Sequence, residues 1–474
     1  ATNSFAMIPV QAIPTDIAGT IFVLSLIGFG FKAGIMPLHV WLPGAHANAP
    51  SHVSAVMSGV MLKMGIYGII RITAMLGITT VWWGCVALTL GVITGVAGIA
   101  FAIAQIDIKR MLAYSSIENI GIIMIGLGLA MLGRSLNQPE WIILGMGGAL
   151  LHVWNHSLFK SLLFMNAGAI IHASQTRNID QMGGLAKLMP RTMVLFVIGA
   201  VAICALPPLN AFASEWLIYS GLFQTLGLYG KQGFPVAAVA AVPLAMIGAM
   251  AVMCFVKILG TVFLGTPRSK SPNNAHDPSP SMMIPMAVLA LGCICIGLFP
   301  MIAMKWFDNA VRTWASLPEN TILITAAAPL GWITKMSLVF ILLVAIIVLV
   351  LKKIVPAKTL RQAGTWGCGY VGQTTRVQYT GSSFSQTLVN LFAFMLWPKN
   401  HWPMISGVFP KTTNFKNVVP DAVLDRIVIP AFNLAGRYLP SLRVLQQGQT
   451  HFYVLYILII VIILLIYSMI GVNS

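Results

Sequence analysis

Ten stretches of roughly twenty mainly apolar residues recur along this chain, and no other feature constrains its fold as much. They fall at roughly 16–34, 53–76, 80–105, 110–133, 140–172, 191–227, 234–264, 282–304, 331–351 and 452–471. A helix of about 20 apolar residues is what a hydrocarbon core about 30 Å thick requires. Inside lipid every backbone N–H and C=O must be paired within the protein, so runs of this length read as transmembrane helices. The balance of the 474 residues agrees: 58% are hydrophobic and 8% charged, whereas a soluble chain carries about 25% charged residues. The expected fold class is an all-α polytopic membrane protein. The 140–172 and 191–227 stretches are long enough to be tilted, broken or extended beyond the membrane.

A formal net charge of +17 could suggest a nucleic-acid partner, but none is expected, because the basic residues are dispersed between apolar spans. Loops 106–110, 173–191, 265–281 and 352–450 hold eighteen of the twenty-eight, among them Lys109, Arg110, Arg177, Lys187, Arg191, Arg268 and Lys270. The opposite loops hold six: Arg71, Arg134, Lys231, Lys305, Arg312 and Lys335. Lysine and arginine favour cytoplasmic loops, which puts the first set inside. Without the long last loop the tally falls to seven against six.

The six cysteines are Cys85, Cys204, Cys254, Cys293, Cys295 and Cys368. Five lie in apolar runs, where Cys acts as a small hydrophobe, and Cys293-x-Cys295 lacks zinc-site partners. Residues 352–450 are polar and rich in Gly, Thr, Pro and Arg, with amphipathic pieces near 383–396 and 421–445. The second piece spaces Val423, Leu424, Ile427, Val428, Ala431, Leu434 and Ala435 as a helix would. It reads either as an interfacial or partner-binding helix or as a loop packed on its own bundle. No initiator methionine or targeting segment opens the chain, so it is expected to be a fragment lacking its true N-terminus.

Four basic residues, Lys32, Lys63, Lys160 and Lys257, lie in or at the edge of spans. A charge at the bilayer centre costs several kcal/mol, and such residues line bundle interiors or water pathways. In Gly148-Ala-Leu-Leu-His152-Val-Trp-Asn-His156-Ser-Leu-Phe-Lys160, spacing of four puts three titratable groups on one helix face. Their Cα atoms rise by about 6 Å each. Imidazole titrates near neutrality, and an ammonium taken out of water gives up its proton more easily. Gaps of this size need water to bridge them. The plain alternative is two satisfied core histidines and a snorkelling lysine; three aligned groups in one apolar span favour a relay.

Two spans are interrupted by proline. Lys32, in Phe29-Gly-Phe-Lys32, precedes Gly34, Pro37, Pro43 and Pro50; a snorkelling lysine is its alternative. Lys63 sits in the middle of the next span. Glu215 closes Leu206-Pro-Pro-Leu-Asn-Ala-Phe-Ala-Ser-Glu215. Proline removes a backbone donor, and a broken helix at membrane depth is tolerated only where it is buried or lines a wet cavity. Paired broken segments point to an inverted-repeat transporter and to its site. Glu118, in Tyr114-Ser-Ser-Ile-Glu118-Asn-Ile-Gly121, could carry protons, counter a lysine, or cap a loop near a surface. Lys257 could instead reach the cytoplasmic interface. His39 and His46 flank the first break, and with His52 and His172 give weaker signals. No P-loop, GxGxxG, CxxC pair or nucleophile elbow is present, so no cofactor is expected and no redox step by the chain itself.

Several of these motifs resemble the antiporter-like subunits of respiratory complex I, Mrp antiporters and group 4 membrane-bound hydrogenases. The resemblance runs over about residues 16–270. It is carried by Lys32-Ala-Gly-Ile-Met-Pro-Leu-His39 and the stretch to Pro50, Val60-Met-Leu-Lys63-Met-Gly-Ile-Tyr-Gly68, Asp107-Ile-Lys-Arg-Met-Leu-Ala-Tyr-Ser-Ser116, the His152/His156/Lys160 set, and Ala205 to Glu215. Ser116-Ile-Glu-Asn-Ile-Gly-Ile-Ile123, Asn178-Ile-Asp-Gln-Met-Gly-Gly-Leu185, Trp366-Gly-Cys-Gly-Tyr370 and Arg376-Val-Gln-Tyr-Thr380 look most like hydrogenase-4 component B and formate hydrogenlyase subunit 3. The resemblance implies Lys32 and Lys63 as first-channel proton groups, His152, His156 and Lys160 as a central relay, and Glu215 as the exit-side or coupling group. Gly44 departs from the Asp of many relatives, and the family's early helices, with a Glu that pairs with the first-channel lysine, are absent from this sequence.

The expected organisation is the end of a first antiporter-like repeat (1–76), a second repeat (77–270), extra transmembrane helices (271–351), a polar and amphipathic segment (352–450) and a C-terminal transmembrane helix (451–474). The expected function is proton translocation, with sodium as the other ion to consider, in a bacterial or archaeal cytoplasmic membrane. The expected partners are the lipid bilayer and the other membrane subunits of a redox-driven complex, most like a group 4 hydrogenase or formate hydrogenlyase. The proton-translocation set is Lys32, Lys63, Glu118, His152, His156, Lys160, Glu215 and Lys257. The alternatives are a complex I pumping subunit, a stand-alone cation/proton antiporter, and a non-pumping scaffold.

Overall fold

The computed structural model describes residues 13–77, 79–227, 233–269, 275–318, 327–354, 378–401, 416–440 and 448–471. Among them, nine helices are long and apolar enough to cross a membrane. In chain order the first unit contains α1 (Thr15–Ala33), α2 (Leu42–Asn48), α3 (Ser51–Leu76), α4 (Val81–Ala104), α5 (Ile108–Ser135), α6 (Pro139–Ser174), α7 (Pro190–Ile203), α8 (Asn210–Gln224), α9 (Pro235–Phe263), α10 (Pro280–Leu298), α11 (Pro300–Ala315), α12 (Leu330–Ile354) and α13 (Gly381–Leu391). A two-stranded antiparallel ribbon pairs Lys399–His401 with Lys416–Val418, a small departure from an all-helical chain. The second unit, from Pro420 onward, holds α14 (Ile429–Tyr438) and α15 (Thr450–Gly471).

At the centre lies α5, buried on every side along its length. Helices in lipid gain little from hydrophobic burial, so they approach closely only where side chains are small. Glycines provide this on both flanks of α5. A Cβ on Gly121 would stand 2.3 Å from the Gly95 nitrogen, and one on Gly98 would stand 2.6 Å from the Glu118 nitrogen, so α4 and α5 touch backbone to backbone. On the other flank a Cβ on Gly145 of α6 would come within 2.7 Å of the Ala130 nitrogen.

Both proline-interrupted spans are broken as expected. After α1, Gly34 takes a left-handed conformation (φ 81°) and its N–H returns to Gly30 O at 2.9 Å. The Met36–Pro37 and Pro207–Pro208 peptides are cis. The carbonyls at the end of α2 are covered from the facing loop, where Lys109 donates to Ala49 O and Arg177 to Ala47 O. Asp107 caps α5 by accepting from the Lys109 and Arg110 amides at 2.8 and 3.1 Å, and lies 3.4 Å from Arg177. The 191–227 stretch is two half-helices, α7 and α8, joined through Cys204–Leu209.

Two expectations are refined and one feature is new. The 140–172 stretch is one unbroken helix of 36 residues, about 54 Å long at 1.5 Å per residue, so it extends past the hydrocarbon. The 282–304 stretch ends early: α10 stops at Leu298, and Pro300, which lacks an N–H, opens the separate amphipathic helix α11. Within α3, residues Met57–Met61 form a π turn that nothing in the residue pattern announces. In the second unit, Leu424–Val428 form a π turn and α14 follows. Residues 441–445, Cys368, Trp366–Tyr370 and Arg376 lie outside the described residues.

Candidate functional site

The long helix α6 passes between α5, α3 and α8 with its polar face turned to all three. His152 is fully buried; its Nδ1 lies 3.0 Å from Ser214 Oγ on α8 and its Nε2 3.1 Å from Asn119 Oδ1 on α5. Asn155 donates to Asn210 O at 2.8 Å and to Ser214 Oγ at 3.1 Å. Lys160, two turns further on and equally buried, donates to Leu112 O at 3.0 Å and Ser115 Oγ at 2.5 Å on α5. Between them both ring nitrogens of His156 are buried with no hydrogen-bond partner among the described residues. The spacing of four thus puts three titratable groups on one buried face.

The flanking helices extend this row. On α3, Lys63 is 8% exposed and donates to Ser58 O. A π turn shifts the backbone register here, and such turns are frequent at functional sites. Ser58 Oγ in turn lies 2.8 Å from Ser116 Oγ on α5. Glu118 on α5 is 1% exposed, and its Oε2 has no hydrogen-bond partner among the described residues. Glu215, one residue past Ser214 on the second half-helix, is 6% exposed. Lys63, Glu118, His152, His156, Lys160 and Glu215 are thus all buried in one bundle, and charges held at low dielectric interact strongly.

Two of the expected residues stand apart. Lys32 lies in the last turn of α1 with its side chain exposed. Lys257 is buried, but its ammonium donates to Ile103 O at 2.6 Å and Gln105 O at 2.8 Å, so it caps the C-terminal end of α4. A cation at a helix C-terminus is a structural stabiliser.

The sequence reading missed the neutral links Ser58, Ser115, Ser116, Asn119, Asn155, Asn210 and Ser214. Ser115 and Asn119, one turn apart, carried the only signal, and single Ser or Asn residues in spans are too common to mark a path. His46 on α2 is also buried and stacks on Phe164 at 4.7 Å. A polar cavity of about 360 Å³ adjoins α2 between Asn48, Gln105, Asp107, Arg110 and Arg177. Among the described residues no three His, Cys, Asp or Glu side chains converge as a metal site, and Cys293 is buried while Cys295 is exposed.

Fold and buried row together define a class: a multi-pass membrane protein with a polar interior built around two broken helices. The family model for the NADH:quinone oxidoreductase/Mrp antiporter transmembrane region matches residues 11–230. Hydrogenase-4 component B of Escherichia coli is 36% identical over 481 residues, covering 98% of this chain and 71% of that protein. Formate hydrogenlyase subunit 3 of the same organism is 38% identical over 377 residues, covering 79% of this chain and 60% of that one. A chain of the archaeal membrane-bound sulfane sulfur reductase, a respiratory membrane complex, shares the fold with a TM-score of 0.69 at 24% identity, covering 96% of this chain and 70% of the other. The Mrp complex of a Dietzia species aligns with a TM-score of 0.54 at 20% identity, over 68% and 62%. This chain belongs to the NADH:quinone oxidoreductase/Mrp antiporter family; it is a multi-pass, antiporter-like subunit of the cytoplasmic membrane, in the proton-translocating class.

Proposed function

We propose that protons cross the membrane through this subunit along the buried row Lys63, His156 and Lys160, Glu118 and Glu215, with His152 holding the row in register through Asn119 and Ser214. The observation that carries the reading is the convergence of these groups from α3, α5, α6 and α8 inside one bundle, away from lipid. Buried polar groups are as a rule hydrogen-bonded, so the open nitrogens of His156 and the free oxygen of Glu118 mark where internal water belongs. Protons would enter beside α2, where His46 lies near the polar cavity, and leave by Glu215 at the second break. Lys32 would serve a first channel, as the resemblance implies. Protons fit the titratable row better than sodium, which prefers convergent oxygens.

The driving force would come from redox chemistry in neighbouring subunits. A change of charge at one end shifts the proton affinity of the next group, and so along the row. Moving one charge against 100 mV costs about 2.3 kcal/mol, which a swing of roughly two pKa units supplies. The relatives favour a group 4 hydrogenase or formate hydrogenlyase as the surrounding complex. The test is redox-driven proton uptake by vesicles carrying the intact complex with Lys63→Ala, Lys160→Ala or Glu215→Gln. Each is expected to cut uptake by roughly tenfold or more while redox turnover persists; undiminished uptake in an assembled complex removes that residue from the path.

A further inference from the structure

A groove runs along the outside of the bundle between α3 and α11. Its deeper part is a cavity of about 430 Å³ walled by Val60, Met64, Leu150, Val153 and Ala310, with the stem of Lys63 on its floor. It continues into a second cavity of about 340 Å³ that shares Tyr67, Ile70, Ala310 and Trp314 and adds Arg71, Asn309 and Thr313. Both parts are mainly apolar, and the shallow part adds the polar groups of Arg71, Asn309 and Thr313. Its end wall is fixed, because Trp314 donates to Thr73 Oγ1 at 3.0 Å and the Arg134 guanidinium lies 5.0 Å from the Trp314 ring centroid.

Arg71 sets the chemistry of the mouth. It lies five residues before the end of α3, close enough for its side chain to reach the headgroup layer, and it forms no hydrogen bond or ion pair with any described residue. No carboxylate lines either cavity, and the nearby Asp308 is engaged by Arg312 at 2.8 Å. Asn309 and Thr313, one turn apart on α11, add an amide and a hydroxyl beside the guanidinium. An apolar trough that ends in a guanidinium, an amide and a hydroxyl matches an anionic amphiphile: a chain along the wall and a phosphate at the mouth.

We propose that an acidic phospholipid of the outer leaflet occupies this groove, its acyl chain between α3 and α11 beside Lys63 and its phosphate on Arg71, Asn309 and Thr313. The bound chain seals the flank of Lys63 against lipid-side water. The test reconstitutes the full chain in phosphatidylcholine vesicles containing phosphatidylglycerol with a diazirine on its acyl chain, followed by irradiation and peptide mapping. Label is expected within residues 60–70 and 306–314. Arg71→Gln is expected to lower it about tenfold, Arg71→Lys to retain most of it, and Ala310→Trp to abolish it by filling the trough. Labelling of the lipid-facing α12 serves as the control for fold and insertion and is expected to stay constant. Equal labelling by diazirine phosphatidylcholine, indifference to Arg71→Gln, or a silent groove beside a labelled α12 would each overturn the proposal.

Discussion

Among the lysines, burial alone does not separate relay from scaffold; the partner does. Lys160 and Lys257 are both buried. Lys160 meets one carbonyl and a serine hydroxyl within a face of titratable groups, whereas Lys257 meets two carbonyls that end a helix. The two are therefore expected to fail differently. Lys257→Met should lower the thermal stability of the purified protein by about 1–3 kcal/mol, the loss of charged hydrogen bonds to a helix end, and Lys257→Arg should recover part of it. Lys160→Met should leave unfolding nearly unchanged and abolish proton uptake. Paired melting curves and uptake assays distinguish them. At this scale the sequence was readable where residue type and spacing coincide, as in His152, His156 and Lys160. It was not readable for Asn119, Asn155 or Ser214, because a neutral polar side chain in a span gives no sign of which neighbour it meets. The partners of Lys257 were not readable for a related reason: they lie about 150 residues away in the chain.

At the scale of elements, two devices hold the row in place. The broken helices place Glu215 and His46 on the half-helices that follow each break, inside the bundle, and glycine seams press α4 and α6 against α5. Gly121 meets α4 backbone on all three of its nearest contacts, so nothing there can swing aside. Gly121→Val is expected to destabilise the bundle by about 1–3 kcal/mol or more through overpacking, while Gly248→Val, with open space at its Cβ, should change little; thermal unfolding in detergent reads both. The breaks were legible from Gly34, Pro37, Pro207 and Pro208, since proline and glycine change the backbone directly. The π turn beside Lys63 was not, because no residue type is reserved for it. The end of α10 at Pro300 was readable in principle but was masked by the continuing apolar run.

At the scale of the whole molecule, ionisable groups are held inside the bundle, and the lysine and arginine bias of the loops predicts that the basic ones face the cytoplasm. Single cysteines in a background without the native ones test that orientation. Arg110→Cys is expected to react with an impermeant maleimide only from the cytoplasmic side, and Asn137→Cys only from the other; the reverse pattern would invert the direction of translocation. The fold class and nine of the ten expected spans were legible, 191–227 being two shorter half-helices, because lipid imposes a length and a composition on each crossing. The side-to-side order of helices was not, since lipid-facing and bundle-facing positions share the same apolar alphabet.

The account depends on these groups sensing each other's charge across the interior. Infrared difference spectroscopy of the Glu118 carboxyl, assigned by its disappearance in Glu118→Gln, reads that directly. The carboxyl band is expected to shift its titration when Lys160 becomes Met and again when Glu215 becomes Gln. A Glu118 band that titrates identically in all three proteins would mean that the row is a set of isolated groups and would contradict the mechanism.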